Sequence, residues 1–475
     1  MLRRGKPVTH RTVLRLEGWS GRRAARGCTI LLICAGLALT LGVAVLFASS
    51  APSFAPARSY ATGRAPQSLA IGDLNGDGKP DLATANDAAS TVSVLLNRGD
   101  GRLQTKHDYR AGARPESVAI GDLTGDGNLD LAIANYRAST VSVLANGGDG
   151  RFQAKHDYVT GLDPLSVTIG DLNGDGELDL AIANGDAYTV SVLLNNGDGT
   201  FPAKRDYPTG QFPVSVAIGD LNGDGKLDLA TANGADGANS VSVLLNRGDG
   251  TFRAKSDYRV GSYDAIPNSV ALGDLNGDGK PDLATANSGE YTNANTVSVL
   301  LSRGDGSFRA KREYTVGRGP YSLAIGDLNG DGNPDLATSH HGEVAGTVFV
   351  LLNRGDGTFQ DKLDYRLRST SFEVAIRDLN GDRKPDLATA NRDGNTVSVL
   401  LNRPGLCTVQ DVRRQKLWAA KRTIARANCR VGQIRRAYST RVNKGRVISQ
   451  KPKFGAVLRG GSKVNLVVSR GRKPS

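Results

Sequence analysis

Asp73-Leu74-Asn75-Gly76-Asp77-Gly78-Lys79-Pro80-Asp81 is the first of seven copies of one nine-residue phrase. The last is Asp378-Leu379-Asn380-Gly381-Asp382-Arg383-Lys384-Pro385-Asp386, and successive copies start 49 to 54 residues apart. A period of about 50 residues, filled with short β-runs and Gly/Asn turns, marks an array whose units bury their faces against their neighbours. Seven units suit a closed ring. Before the phrase, Ser68-Leu69-Ala70-Ile71-Gly72 reads as a strand, and Asp81-Leu82-Ala83-Thr84-Ala85-Asn86 reads as the next, so the phrase is the tip of a β-hairpin. A third run of the kind Thr91–Asn97 and a fourth of the kind Phe152–Tyr158 give four strands per unit.

The residue types of the phrase suit a hard cation. Oxygen donors at alternate positions of a tight loop point inward together, and Gly at position 6 turns the chain so that the carbonyl at position 7 can join them. The expected calcium ligands are Asp73, Asn75, Asp77 and Asp81 in loop one, Asp122, Asp126 and Asp130 in loop two, and Asp171, Asn173, Asp175 and Asp179 in loop three. They continue with Asp220, Asn222, Asp224 and Asp228, then Asp274, Asn276, Asp278 and Asp282, then Asp327, Asn329, Asp331 and Asp335, and end with Asp378, Asn380, Asp382 and Asp386. No Glu occupies position 12, so this is not an EF-hand. The competing reading is a set of metal-free Asx-type turns, since Asp, Asn and Gly are ordinary turn formers. Two loops depart from the pattern: Thr124 replaces Asn at position 3 of loop two, and Arg383 replaces Gly at position 6 of loop seven, where weak or absent metal is expected.

Nine-residue loops on hairpins resemble the FG-GAP or VCBS repeats of integrin α-subunit propellers and of bacterial surface and lectin-like propellers. The resemblance covers residues 54–403 and implies an all-β, seven-bladed β-propeller with calcium in its loops. The ends of this region carry their own signal. The seventh repeat stops after its third strand, Thr396–Asn402, whereas Phe54–Tyr60 is a lone fourth-strand sequence ahead of the first repeat. The N-terminal strand is therefore expected to complete the last blade and remove an exposed edge.

Strand direction puts the calcium loops and the third-to-fourth turns on one face, and the remaining connections on the other. That other face is the variable one. It carries Asn184–Tyr188, Ser262–Asn268, Ser288–Asn295 and Ser339–Glu343, so Tyr188, Tyr263, Tyr291, His340 and His341 are its ligand-site candidates. The paired histidines have no partner at zinc spacing and read as solvated loop residues. Four Arg-Gly-Asp triplets, ending at Asp100, Asp249, Asp305 and Asp356, belong to third-to-fourth turns. Equivalent turns read Gly147-Gly148-Asp149-Gly150 and Asn196-Gly197-Asp198-Gly199, so the constant part is the Gly-Asp-Gly of hairpin chemistry, not an adhesion motif.

After Pro404 the composition changes. Residues 407–475 hold 19 Lys or Arg against one acid, Asp411, for a net charge of +18. Leu417, Ala420, Ile424 and Ala427 recur at helical spacing, and Arg446–Pro452 and Ser462–Ser469 read as strands. Together with Gly432, Gly455, Lys444-Gly445-Arg446-Val447-Ile448-Ser449-Gln450-Lys451-Pro452 and the closing Gly461–Val468, this segment, 407–472, resembles a PASTA domain, a small α+β fold. The resemblance implies a place outside a bacterial cell, near peptidoglycan or its precursors. Cys407 and Cys429 depart from the commonest PASTA sequences, and an even pair in so small an exported domain reads as a disulfide staple, with two free thiols as the alternative.

The first 27 residues carry eight Lys or Arg and one acid, and the apolar run 28–48 follows. This pattern keeps the N-terminus cytoplasmic and exports the rest, as a cleaved signal peptide or as a retained transmembrane anchor, with the 21-residue length favouring the anchor. With +7 in residues 1–27 and +18 in the tail, a whole-chain charge of +13 leaves the intervening region at −12. Seven calcium ions would offset that charge, so chelation is expected to destabilise the ring. The basic tail favours peptidoglycan or another anionic wall polymer as partner, with glycans or surface proteins open to the propeller. Nucleic acid fits poorly, because the tail has few aromatic residues for stacking. No His-Glu-x-x-His, Gly-x-Ser-x-Gly or phosphate-binding Gly loop occurs, so a non-enzymatic envelope-binding or adhesion module is expected. A polysaccharide lyase or hydrolase on the variable face, and a purely structural spacer, are the alternatives.

Overall fold

The computed structural model describes residues 51–473 except 236–237, 263–264, 290–294, 342–345, 368, 404–406, 428 and 459–461. The segments 1–27 and 28–48, Tyr263 and Tyr291 lie outside the described residues. Among the described residues no helix is long and apolar enough to cross a membrane.

Seven antiparallel four-stranded sheets account for residues 58–400. In the first, the strands Pro66–Gly72, Asp81–Asn86, Thr91–Leu95 and His107–Arg110 lie side by side in chain order. Five more sheets repeat this plan, and the innermost strand of each packs against the innermost strand of the next. The circle closes where Glu373–Arg377 meets Pro66–Gly72. The second strand of every blade is buried at all of its repeated six positions, because it is covered on both faces. Outer strands such as His107–Arg110 are mostly exposed.

The core lies between the blades. Val92 and Val94 of the first blade meet Val118, Leu131 and Ile133 of the second, and the same grouping recurs around the ring. The last blade is held on both sides, by Val348 and Val350 of the sixth and by Leu69, Leu82 and Leu95 of the first. Each such side chain contributes about 1.5–3 kcal/mol through burial, so cohesion is spread over every interface.

The seventh sheet contains Glu373–Arg377, Asp386–Asn391 and Thr396–Leu400, and its outer strand is Arg58–Ala61 from the N-terminus. Arg58 pairs with Val399 and Ala61 with Thr396. The closure extends further than a strand. In the second to sixth blades a turn Phe (Phe152, Phe201, Phe252, Phe308, Phe359) packs edge-on against the outer-strand Tyr of the preceding blade, with centroids 5.1–5.3 Å apart. The last blade has no such turn. Phe54 takes the role, 4.8 Å from Tyr365, while Ser53–Phe54 pairs with Asn402–Arg403.

Around the axis, each blade is tied to the next by a serine. The Ser68 hydroxyl accepts the Val118 amide at 3.1 Å, and Ser117, Ser166, Ser215, Ser269 and Ser322 repeat the contact. At the seam the serine is replaced by Glu373, whose Oε2 accepts the Leu69 amide at 2.7 Å. Burial pushes this carboxyl up to about 7, against the pull of its hydrogen bonds with Ser68 and Leu69. A raised folded-state pKa contributes stability that is complete below the ordinary value of 4.5 and is lost as pH rises through 7. Glu373→Gln keeps an acceptor for Leu69 without the charge. It is therefore expected to gain roughly 2 kcal/mol relative to wild type between pH 5 and 8, read as converging or crossing denaturation curves. Parallel curves would contradict this.

Residues 407–473 form a separate sheet and helix. Lys463–Ser469 lies between Arg430–Ala437, which is parallel to it, and Val447–Lys451, which is antiparallel. The helix Leu417–Arg426 buries Ala420 and Ile424 against Val447, Val464, Leu466 and Val468. A short pair joins Cys407–Thr408 to Val457–Leu458. The helical stripe ends one residue before Ala427, and the strand Arg430–Ala437 has no counterpart in the sequence reading.

Candidate functional site

Each loop is organised by its acids. In loop one, Asp73 accepts the amides of Asp77 and Gly78 (3.1 and 2.7 Å), Asn75 accepts the Asp77 amide (3.0 Å), and Asp77 accepts the Lys79 amide (3.0 Å). Gly78 has φ +77°, which brings its amide round to Asp73. Arg383 adopts φ +64° at the same position, and its amide still reaches Asp378 at 2.6 Å. Loop seven therefore keeps the fold of the other loops despite lacking the glycine.

The position-9 aspartates are fully buried at the root of the loops. Asp81 Oδ2 accepts the Leu74 amide at 3.0 Å and Oδ1 accepts the Asn97 amide at 2.6 Å, so one carboxylate joins the loop to the end of the third strand. Burial pushes Asp81, Asp179, Asp228 and Asp282 up to about 6, and Asp335 and Asp386 up to about 7. The amide hydrogen bonds oppose this shift, and repulsion from the acids at positions 1 and 5 adds to it. Asp130 is also raised by burial but is held back further by Thr124, whose amide and hydroxyl both donate to it (3.0 and 3.1 Å). The substitution in loop two thus turns a side chain toward the buried acid.

The donor set fits a hard cation in chemistry: four side-chain oxygen donors per complete loop, with mutually repelling carboxylates. The side chains as they stand are engaged with loop amides, and Lys79 contacts Asp77 at 2.9 Å. Among the described residues no three His, Cys, Asp or Glu side chains are grouped as a metal site.

Two further contacts escaped sequence reasoning. Asn97 Nδ2 donates to Pro80 O of its own loop and to Leu379 O of the previous blade (2.9 and 2.8 Å), and Asn146, Asn195, Asn246, Asn353 and Asn402 make the equivalent bridges. The outer-strand Tyr109 hydroxyl donates to Gly150 O in the next blade's Gly-Asp-Gly turn. In the Arg-Gly-Asp turns, Asp100 accepts the Arg102 amide at 3.0 Å, as Asp149 accepts that of Arg151. These triplets are structural turns. The recurrence of Tyr in every repeat, and of Asn in all but the fifth, where Ser302 stands, was the available signal.

On the variable face, Tyr188 is 48% exposed in the turn before Thr189–Leu193. His341 is exposed and lies 4.9 Å from Phe372. His340 corrects the expectation of a solvated loop residue. It ends the strand Asp335–His340, is fully buried, and takes the place that Asn86 holds in blade one. Its ring meets Thr338 Oγ1 at 2.8 Å, Arg318 O at 3.0 Å and the edge of Phe349 at 4.4 Å between centroids. Burial pushes it down to about 4, so it is a neutral packing residue.

Sequence profiles of known families match along the same lines. The FG-GAP-like repeat matches residues 73–133, 122–182, 171–231 and 287–338, the FG-GAP repeat matches 267–300, and the PASTA domain matches 408–470. The chain is an FG-GAP-repeat propeller protein with a C-terminal PASTA domain. Among solved structures, BBS1N crystallised in complex with ARL6DN is similar at TM-score 0.52 and 12% identity, over 74% of this chain and 97% of that one. A protein from Lactobacillus plantarum is similar at TM-score 0.50 and 14% identity, over 64% of this chain and 86% of that one. At such identities the likeness is one of fold. FG-GAP and PASTA units together fit an extracellular or surface protein.

The PASTA domain carries an open groove of about 840 Å³ lined by Arg413, Arg414, Tyr438, Arg441 and Lys473. Asp411 makes a two-pronged pair with Arg413 (2.9 and 2.7 Å), which holds its carboxyl down to about 2 and neutralises that arginine. Arg470 lies over the Tyr438 ring at 5.8 Å. Arg414, Arg441 and Lys473 remain as the cationic lining. Cys429 is disulfide-bonded, and the side chain of Cys407 lies outside the described residues.

Proposed function

We propose that the protein is an exported, calcium-stabilised binding or adhesion module of the cell envelope, not an enzyme, and that its PASTA domain contacts peptidoglycan or another anionic wall polymer. The observation that carries this reading is the groove in which Arg414, Arg441 and Lys473 surround Tyr438 within a segment of net charge +18. Converging cations in an open groove select a flexible polyanion, and the tyrosine offers a face for sugar or peptide. Calcium is assigned to the propeller loops, where it would neutralise acids that otherwise repel one another; its oxygen donors there are the Asp and Asn side chains at positions 1, 3, 5 and 9.

The test is co-sedimentation of the full chain with purified cell-wall sacculi across ionic strength. Arg414→Glu with Arg441→Glu and Lys473→Glu is expected to lower retention about tenfold or more, and wild-type retention is expected to fall as salt rises. Unchanged retention of the triple variant would remove the groove from the reading. Release of soluble fragments from the sacculi would point instead to catalysis.

A further inference from the structure

The axial mouth on the variable face holds polar groups that neither the loops nor the closure uses. One residue after the proline near the start of an innermost strand stand Gln67, Glu116, Leu165, Val214, Asn268 and Tyr321, and Phe372 occupies the matching place in the last blade. Tyr321, Phe372, Gln67 and Glu116 therefore follow one another around the ring, so an aromatic pair stands beside a polar one. Tyr321 is 36% exposed and lies 4.8 Å from Phe372.

Three acids, Asp87, Glu116 and Glu373, stand here with two arginines. Arg114 gives Nε and Nη2 to Asp87 (2.6 and 3.3 Å), and Arg392 approaches the same carboxylate at 3.6 Å while lying over Phe372. Both arginines thus contact Asp87. Arg114 also pairs with Glu116 at 3.5 Å, and Glu373 has the Leu69 amide and Ser68 as its partners. Gln67 is 8% exposed and hydrogen-bonds Glu116, yet its Oε1 is buried without a partner. A buried orphan acceptor is costly unless a donor arrives from outside the chain.

We propose that the axial mouth binds a primary ammonium group on a short alkyl arm, with Gln67 Oε1 and Glu116 accepting its N–H groups and the Tyr321 and Phe372 rings covering the arm. An ammonium has three donors that diverge, which suits acceptors on separate strands, whereas a guanidinium asks for one coplanar carboxylate fork. The aromatic pair adds a cation–π contribution.

The test is calorimetric titration of the full chain with Nα-acetyl-lysine amide, with the Nε-acetylated compound as control. Saturable binding of the amine is expected, with none of the acetylated compound. Glu116→Gln should weaken binding about tenfold and Tyr321→Leu about threefold. Absence of saturable binding, equal binding of the acetylated probe, or an unchanged constant in the Glu116→Gln chain would each overturn the proposal. If Glu116→Gln fails to fold, the Tyr321→Leu result decides in the same way.

Discussion

Deletion of residues 51–62 is expected to abolish cooperative folding of the propeller. The segment supplies four paired residues to Thr396–Val399, two to Asn402–Arg403, and the Ala55 and Thr62 amides to Leu401 O and Asn395 O. It also supplies the Phe54 ring to Tyr365, the Pro52 carbonyl to the Tyr365 hydroxyl at 2.5 Å, and the Tyr60 hydroxyl to Gly101 O at 3.3 Å. At about 1 kcal/mol per net hydrogen bond and 1.5–3 kcal/mol per buried aromatic side chain, the loss is on the order of 10 kcal/mol, comparable to the whole stability of an ordinary domain. It leaves Thr396–Leu400 as a bare apolar edge open to pairing with other chains. Aggregation or loss of the melting transition is the expected readout. Adding the same twelve residues after Arg403 in a permuted chain should restore the transition. A truncated chain melting within about 5 °C of the full chain would contradict the closure argument.

Calcium is expected to have an effect of similar size. A ligand held at about a hundred times its dissociation constant adds about 2.7 kcal/mol per site to the folded state, and the ring presents seven loops. Even partial filling should raise the melting temperature by roughly 10 °C or more relative to chelator. Magnesium, which demands a stricter octahedral shell, should do less at equal concentration. Equal melting temperatures with calcium and chelator would leave the loops as Asx turns held by their own amides.

The seven-blade ring and its N-terminal closure were legible because both depend on repetition and on a count of strands. The loops were legible for the same reason: Asp, Asn and Gly recur at fixed offsets, and their hydrogen bonds span at most seven residues inside the loop. What stayed hidden depends on neighbours about 50 to 75 residues away in the chain. Asn146 bridging to Leu74 and the Ser68 hydroxyl accepting the Val118 amide look like ordinary polar residues in a repeat until the blades are set side by side. Glu373 carries meaning only as the one departure from a ring of serines. His340 was misplaced because Ser339 and His340 stand where the other blades carry Ala and Asn in this strand, and Phe349, whose ring meets His340, replaces the serine found in blades such as the first. In the PASTA domain, the strand Arg430–Ala437 was missed because its charged exposed face hides the alternation that reveals a strand.

The most direct measurement is calcium counted per chain by elemental analysis of native protein after equilibration with micromolar calcium and removal of free ion. About seven ions are expected, or six if the Arg383 loop stays empty. Less than one ion per chain, in protein that is folded and unaggregated, would contradict the assignment of calcium to the loops.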